Sequence, residues 1–412
     1  MFDLLKIASQ EIPEKLAYLS KTEKITFLEL EKKTEEMVSF LIKNGINPSD
    51  RVAVFLSPNV LFLTLLFASL RIGANFCPLP LRISEKMQNE HLQLLSPKFF
   101  FNESGFKIYP HSISTPQTSS IFLFTSGTIS QKIAILPLSA IIANAQSAIE
   151  FCNFTEKNYW LLSLPLYHVG GLGIIFRSLL AKSTIIHDPT FPFITHLSYV
   201  PTQLYRAWPI YPSLQCILLG GAPIHAIPSK LPIFTSYGMT ETCSMIVGNG
   251  KVLPKKELKI DATCEIWVKG DSLFQGYWNL AQINPEEWFP TNDLGEIHQG
   301  DIRIIGRKDN QFISGGENIQ PEEIEKELLQ HPDILAAVVV PKNDPEFGQI
   351  PLAFIQTFNK KFDPLSLKNF LSDRLAKFKI PKTFYPLDFI EENSMKISRK
   401  KIIDQLQNKS IF

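Results

Sequence analysis

Several short stretches of this chain gather the hydroxyls, carboxylates, cations and glycines that phosphate chemistry uses. TSGTISQK (Thr125 to Lys132) follows an apolar run and places Thr125, Ser126, Gly127 and Thr128 ahead of Lys132. Backbone N–H groups in such a turn can point at phosphate oxygens, hydroxyls add donors and a lysine adds charge. An ordinary turn has the same composition, and the GxxxxGK[ST] spacing of a Walker loop is absent. SYGMTE (Ser236 to Glu241) brings an aromatic face, Tyr237, together with Gly238, Thr240 and Glu241. The ring suits a nucleobase, and the oxygens suit magnesium on phosphates. A strand end with a surface carboxylate is the plain alternative. In LPLYHVGG (Leu164 to Gly171), His168 precedes two glycines, and Arg177 follows nine residues later. A structural histidine competes with a site histidine there. TNDLGE (Thr291 to Glu296) contributes Asp293, whose two acceptor oxygens could hold a diol. GRKDN (Gly306 to Asn310), SGGENIQPEEIE (Ser314 to Glu325) and MKISRKK (Met395 to Lys401) complete the set. The last also reads as a solvated basic helix start.

Short apolar β-rich runs alternating with helical patterns must position these stretches. Strands are expected at Arg51 to Leu56, Ile121 to Thr125, Trp160 to Leu164, Thr184 to His187 and Cys216 to Leu219. Helices are expected at Val60 to Ile72, Ser139 to Phe151 and Gly173 to Leu180. That alternation predicts an α/β architecture with buried, partly parallel sheets. Near residue 262 the pattern changes to short antiparallel strands, Glu265 to Lys269, Glu296 to His298 and Ile302 to Ile305. Beyond Arg307 it resets. A helix follows Pro321, with Glu322, Glu323 and Glu325 in its opening turns. Strands at Leu335 to Val340 and Leu352 to Gln356 and a helix near Leu365 to Ala376 follow, enough for a small α+β domain.

Taken in order, TSGT, YGMTE, TNDLGE, GRKDN, GGENIQPEEIE and KISRK resemble the acyl-adenylate-forming superfamily of acyl- and aryl-CoA synthetases, luciferases and peptide-synthetase adenylation domains. LPLYHVGGLGIIFRSLL, PEFGQIP and KISRKK narrow the resemblance to the aryl-CoA ligases of menaquinone biosynthesis. The resemblance implies a large domain (residues 1–307) of α/β subdomains plus a β-rich subdomain. A small mobile α+β domain (residues 308–412), with Asp309 at the hinge, follows it. It implies ATP, magnesium and CoA as cofactor and co-substrates, and a small carboxylic acid as the partner. Lys396 would be the catalytic lysine, with Glu241 holding the metal and Thr240 beside the α-phosphate. Thr125, Ser126, Gly127, Thr128 and Lys132 would grip phosphates. Gly221, Ala222, Pro223, Tyr237 and Gly238 would serve the base, and Asp293 and Arg307 the ribose. His168 and Arg177 would meet an aromatic acid bearing a second carboxylate, and Gly315 and Gly316 would border the CoA channel.

One stretch departs from the family pattern TSG[ST]TGxPK. Here Ser130 replaces the second glycine, the proline is absent and one residue is missing. The expectation is a weaker grip on the β- and γ-phosphates and an elevated KM for ATP. Three alternatives stay open: another aryl- or fatty-acid ligase, an amino-acid-adenylating module, and a degenerate adenylate-binding protein. None of the eight histidines begins the HxxxD of a CoA acyltransferase, and the GxSxG of a serine hydrolase is absent.

Composition removes other classes. The 412 residues carry a net charge of +1, which leaves no general pull toward nucleic acid or anionic membrane. With 45% hydrophobic residues the chain can bury a large core. Its five cysteines, Cys77, Cys152, Cys216, Cys243 and Cys264, stand singly, as in a reducing compartment, with no zinc-type pair. The longest apolar run, Val60 to Leu70, is far below the roughly 20 residues a bilayer requires. A soluble, cytoplasmic protein is expected, with a homo-oligomer left open.

Overall fold

The computed structural model describes residues 3–81, 83–109, 119–125, 132–206, 211–222, 224, 230–357, 361–387, 399 and 402–404. Two large sheets dominate. In the nine-stranded sheet the order is Lys251–Val252, Ser244–Gly248, Ile233–Met239, Cys216–Gly220, His196–Tyr199, Tyr159–Leu161, Thr184–Ile186, Leu16–Leu19, Lys24–Thr26. The strands from Ile233–Met239 across to Leu16–Leu19 run parallel, and antiparallel strands close both edges. The seven-stranded sheet runs Gly276–Tyr277, Ile133–Pro137, Ser120–Phe124, Asn75–Pro78, Arg51–Phe55, Phe99–Asn102, Gly105–Ile108.

Strands buried on both faces read as unbroken apolar runs, which is why RVAVF and SIFLF are visible without alternation. Helix Val60–Ile72 lies in one shared core with Phe76, Trp160 and Phe176. Asn59 caps its start by accepting from Phe62 N–H at 2.9 Å, and Gly73 ends it in the left-handed region. A four-stranded antiparallel sheet, Glu257–Ile260, Glu265–Lys269, Phe289–His298 and Asp301–Arg307, follows. Beyond it, a five-stranded sheet carries its own core of Ile319, Ile324, Leu328, Val339, Ala353 and Leu371.

Element types hold where they were expected, and several bounds differ. The strand expected to reach Leu164 is Tyr159–Leu161, and the helix expected from Gly173 begins at Val169. The helix takes in Gly170 and Gly171, and both are glycine because a side chain at either would strike the preceding Leu164–Pro165 segment; a Cβ on Gly171 would stand 2.2 Å from the Pro165 carbonyl oxygen. The antiparallel strands are longer than three or four residues, since pairing extends Phe289–His298 well beyond its apolar tip. Helix Pro364–Ser372 stops short of Ala376. Helices Leu4–Glu11 and Phe27–Lys43 were not expected at all. The second carries a legible signal, the Thr26/Glu29 capping box, with Glu29 N–H donating to Thr26 Oγ1 and Thr26 N–H to Glu29 Oε2.

Candidate active site

The carboxyl ends of parallel strands are where an open α/β sheet presents loops to a ligand. Strand Ile233–Met239 ends there in the 3-10 turn Thr240–Thr242. The Thr242 hydroxyl folds the turn by donating to the Ser244 carbonyl at 2.6 Å and accepting from Met239 N–H at 3.0 Å. From the helix Leu138–Cys152, buried Asn144 donates to the Thr242 and Met245 carbonyls at 3.0 and 2.8 Å. Gly238 lies so close to the next strand that a Cβ would stand 2.0 Å from the Ser244 carbonyl oxygen. The turn therefore holds Glu241 in a buried place, 6% exposed, with no cation in ion-pair range among the described residues. Its Oε1 accepts from the Tyr277 hydroxyl at 2.7 Å. Gly221, in the left-handed region, and half-buried Ala222 follow the neighbouring strand Cys216–Gly220.

A second cluster joins the nine-stranded sheet to the antiparallel one. The Tyr237 hydroxyl donates to Asp293 Oδ2 at 2.7 Å, and Arg307 Nη1 donates to Asp293 Oδ1 at 3.1 Å. Asp293 and Arg307 are cross-strand partners, which sets that contact. Arg307 turns its other edge to Asp309, Nε to Oδ1 at 3.1 Å and Nη2 to Oδ2 at 3.2 Å. Burial pushes the Asp293 carboxyl above its ordinary range, against the pull of Arg307. Burial and then the Asp293 charge hold the Tyr237 hydroxyl protonated. Burial would lower Arg307, but Asp309 and Asp293 outweigh it and keep the guanidinium charged. Arg307 acts electrostatically on Tyr237 and on Tyr277, so this cluster and the Glu241 turn share one neighbourhood.

Thr125 and Lys132 close the hairpin between Ser120–Phe124 and Ile133–Pro137. Thr125 N–H donates to the Lys132 carbonyl at 2.8 Å, and exposed Lys132 sets its ammonium 4.7 Å from the Tyr277 ring centroid. Ser126, Gly127, Thr128, Ser130, Pro223 and Lys396 lie outside the described residues. Three residues beyond Lys396, Arg399 clamps onto the helix Pro321–Leu328 and the strand Ile334–Asp344: Nη1 to Glu322 at 3.2 Å, Nη2 to Glu325 at 2.5 Å, and Nε to the Val339 carbonyl at 2.9 Å. Glu322 also accepts from Asn310, beside Asp309, at 2.5 Å. Gly315 and Gly316 form the tip of the hairpin Phe312–Ser314/Glu317–Ile319, both at positive φ, as a two-residue turn requires. A Cβ on Gly316 would meet open space.

His168, exposed, is the N-cap residue of helix Val169–Leu180, and Arg177 lies near its far end. Side chains lean toward a helix N-terminus. The Arg177 guanidinium does so over Gly173, where a Cβ would lie 3.1 Å from Nη2. It is 1% exposed, 5.2 Å from the Trp160 ring centroid, and its Nη2 donates to Ser244 Oγ at 3.0 Å. Its Nε has no hydrogen-bond partner, and among the described residues no carboxylate pairs with it. Burial lowers its pKa from the ordinary arginine value. Thus Ser244, three residues past Glu241, ties the Arg177 guanidinium to the Glu241 turn. Tyr277, Ser244, Trp160 and Asn144 were not singled out from sequence. Each is an isolated residue whose importance arises from a partner distant in the chain.

A model of the AMP-binding enzyme family matches residues 5–107 and 99–278, and one of the AMP-binding enzyme C-terminal domain matches residues 323–395. The chain is 35% identical to a 2-succinylbenzoate–CoA ligase of Haemophilus influenzae, over 93% of each chain. It is 31% identical to that of Escherichia coli, over 96% of each. The fold is similar to the o-succinylbenzoate CoA synthetase of Bacillus subtilis in complex with the acyl-adenylate intermediate OSB-AMP, with a TM-score of 0.85, 27% identity and 98% of both chains covered. For the same synthetase with ATP and magnesium ion, the TM-score is 0.81 at 26% identity, covering 94% of this chain and 96% of that one.

Proposed function

The chain belongs to the AMP-binding enzyme family, and from that membership we propose that it is an AMP-forming ligase that converts o-succinylbenzoate, ATP and CoA to o-succinylbenzoyl-CoA, a step of menaquinone biosynthesis. Relatives at 28–35% identity bearing that activity in their names support the reading. The observation that carries it is the buried Arg177 guanidinium, which has no carboxylate partner among the described residues. An uncompensated buried cation is costly, so a site that keeps one is built to receive an anion. o-Succinylbenzoate has one carboxylate to activate and a second, on the ring, for Arg177 to hold directly or through water.

In the first half-reaction the substrate carboxylate attacks the α-phosphorus of ATP and pyrophosphate leaves. Two anions meet, so the site must supply positive charge where charge builds up. Lys396 bridges the attacking carboxylate and the α-phosphate, and Thr240 donates to that phosphate. Glu241 fits a magnesium ligand: it is a nearly buried carboxylate with no described cation in ion-pair range, and one of its oxygens already accepts from Tyr277. A bound magnesium ion would neutralise phosphate charge. Thr125, Ser126, Gly127, Thr128 and Lys132 hold the phosphates. Tyr237 stacks on adenine, with Gly221, Ala222, Pro223 and Gly238 along the base, while Asp293 and Arg307 hold the ribose. Their own hydrogen bonds fix Asp293 before ATP arrives, so little reorganisation remains on binding.

In the second half-reaction the CoA thiol attacks the acyl carbon and AMP leaves. The reading divides the chain at residue 307, with Asp309 as the hinge about which the small domain turns. Its own core and sheet support that division. The turn withdraws Lys396 and brings Gly315 and Gly316 to the pantetheine path, where the open space at Gly316 leaves room. No helix among the described residues is long and apolar enough to cross a membrane.

The test is a pyrophosphate-release panel with o-succinylbenzoate, benzoate and medium-chain fatty acids, with and without CoA. The expected result is strong preference for o-succinylbenzoate and AMP release that requires CoA. Turnover of a fatty acid with none of o-succinylbenzoate would overturn the substrate. ATP binding without pyrophosphate release for any acid would favour a degenerate binding protein.

A further inference from the structure

Between Phe274 and Trp278 the chain makes contacts that the site description above leaves without a role. The two-residue strand Gly276–Tyr277 pairs antiparallel with Ile133–Pro137, the strand that leaves the TSGTISQK loop, with Tyr277 opposite Ala134. Gln275 N–H donates to the Ile135 carbonyl at 2.8 Å and Trp278 N–H to the Ile133 carbonyl at 2.7 Å. In the other direction, Phe274 N–H donates to the Glu241 carbonyl at 2.8 Å. One short segment therefore links the seven-stranded sheet, next to Lys132, to the turn of the nine-stranded sheet that bears Glu241. The side chain of Tyr277 repeats the link. Its hydroxyl donates to Glu241 Oε1 at 2.7 Å, and its ring lies under the Lys132 ammonium, 4.7 Å from the centroid. Phe274 holds that ring edge-on, with centroids 4.9 Å apart.

We propose that Tyr277 is a positioning residue for adenylation, its hydroxyl orienting the Glu241 carboxylate and its ring supporting Lys132, so that one side chain sets the spacing between the two groups that meet the triphosphate. The inference rests on the reading of Glu241 as a metal ligand and Lys132 as a phosphate contact. A carboxylate that binds a metal is commonly held by a further hydrogen bond, and losing that bond costs roughly ten- to a hundredfold in metal affinity. With Oε1 occupied by the phenol, Glu241 is held in one orientation before the metal arrives. A cation over an aromatic face is attracted to the ring, and Lys132, otherwise exposed at the end of a shortened loop, has that ring as its support.

The experiment uses the full-length protein and follows ATP binding by calorimetry across a magnesium titration, with pyrophosphate release as a second readout. Y277F keeps the ring and removes the hydroxyl. It should raise the magnesium concentration for half-maximal ATP binding about tenfold and leave metal-free ATP affinity unchanged. Y277L removes both contacts and should also weaken metal-free ATP binding. In an E241Q background, Y277F should have no further effect on the magnesium dependence. A magnesium dependence in Y277F equal to the native protein's overturns the proposal and leaves the ligase reading intact. So does an undiminished Y277F effect in the E241Q background. A lowered melting temperature in Y277F, with equal loss of metal-free and metal-dependent binding, assigns the residue a structural role only. If E241Q itself leaves the magnesium dependence untouched, the metal assignment fails first and the role of Tyr277 fails with it.

Discussion

Two regions of this molecule handle buried charge in opposite ways. Around Asp293 each polar group has a partner: Tyr237 and Arg307 take its two oxygens, and Asp309 takes the far edge of Arg307. Around Arg177 the guanidinium lies against Trp160 and Ser244, with Nε unpartnered and no carboxylate paired with it among the described residues. The first region is complete before any ligand arrives, which suits a diol that needs acceptors held still. The second lacks the anion that would balance it. On the proposed reading, the first region would present a shape common to all nucleotides and the second would be kept for a particular acid.

The largest expected effect isolates both regions from the chemistry. Lys396→Ala leaves the Asp293 cluster and the surroundings of Arg177 intact, so ATP and the acid should still bind. Pyrophosphate release should fall by roughly a hundredfold or more, the cost of about 3 kcal/mol in transition-state stabilisation. Thioester formation from supplied acyl-adenylate should survive. Near-normal pyrophosphate release by the mutant removes Lys396 from the mechanism.

The next adds a second charge to the unpaired region. Buried His196 packs on Trp160, with ring centroids 5.2 Å apart, and accordingly neighbours Arg177 through that ring. Burial depresses its pKa to about 4. As pH falls below about 6.5 the unfolded chain takes up a proton that the folded protein refuses until about 4. Stability should therefore decline progressively between those values, by at most about 3 kcal/mol, and be unaffected by this group at higher pH. Urea melts of the native protein and His196→Gln across pH 4 to 7 test this. Parallel curves for the two would show that His196 does not carry the acid limb.

A crossed pair of substitutions tests the comparison itself. Arg177→Ala should raise KM for o-succinylbenzoate roughly tenfold to a hundredfold, from a charged hydrogen bond worth about 1.5–3 kcal/mol, and leave KM for ATP nearly unchanged. Asp293→Ala should do the reverse. Both constants moving together in either mutant would mean that the two regions are one coupled site. The smallest effect concerns the loop beside Lys132. Replacing TSGTISQK by TSGTTGKPK should lower KM for ATP a few-fold and leave the acid constant alone, since glycine can take the turn. An unchanged KM would show that the shorter loop already grips the phosphates.

Much of the site was legible in the chain because it consists of contiguous motifs. YGMTE places Tyr237, Thr240 and Glu241 within one strand end and turn, and a local backbone course is enough to present them. TNDLGE and GRKDN point to Asp293 and Arg307 because each is a short contiguous motif, although both residues lie in strands. Their direct contact is another matter. It depends on the antiparallel register of Phe289–His298 against Asp301–Arg307, including a bulge between Leu294 and Gly295. Alternation along either strand does not specify that register across the pair.

By itself the sequence determined the α/β class, the positions of several core strands and the long apolar helix, and it named candidate residues for adenylate chemistry. Those properties follow from short-range patterns: apolar runs, caps, and motifs a few residues long. Only the tertiary structure decided that Arg177 is buried without a carboxylate and that Ser244 ties it to the Glu241 turn. It alone decided that Tyr277 joins Glu241 to Lys132 across two sheets, and that Arg399 is clamped by Glu322 and Glu325. Whether a charge is paired depends on which distant side chains share its cavity, and no spacing within one segment carries that information.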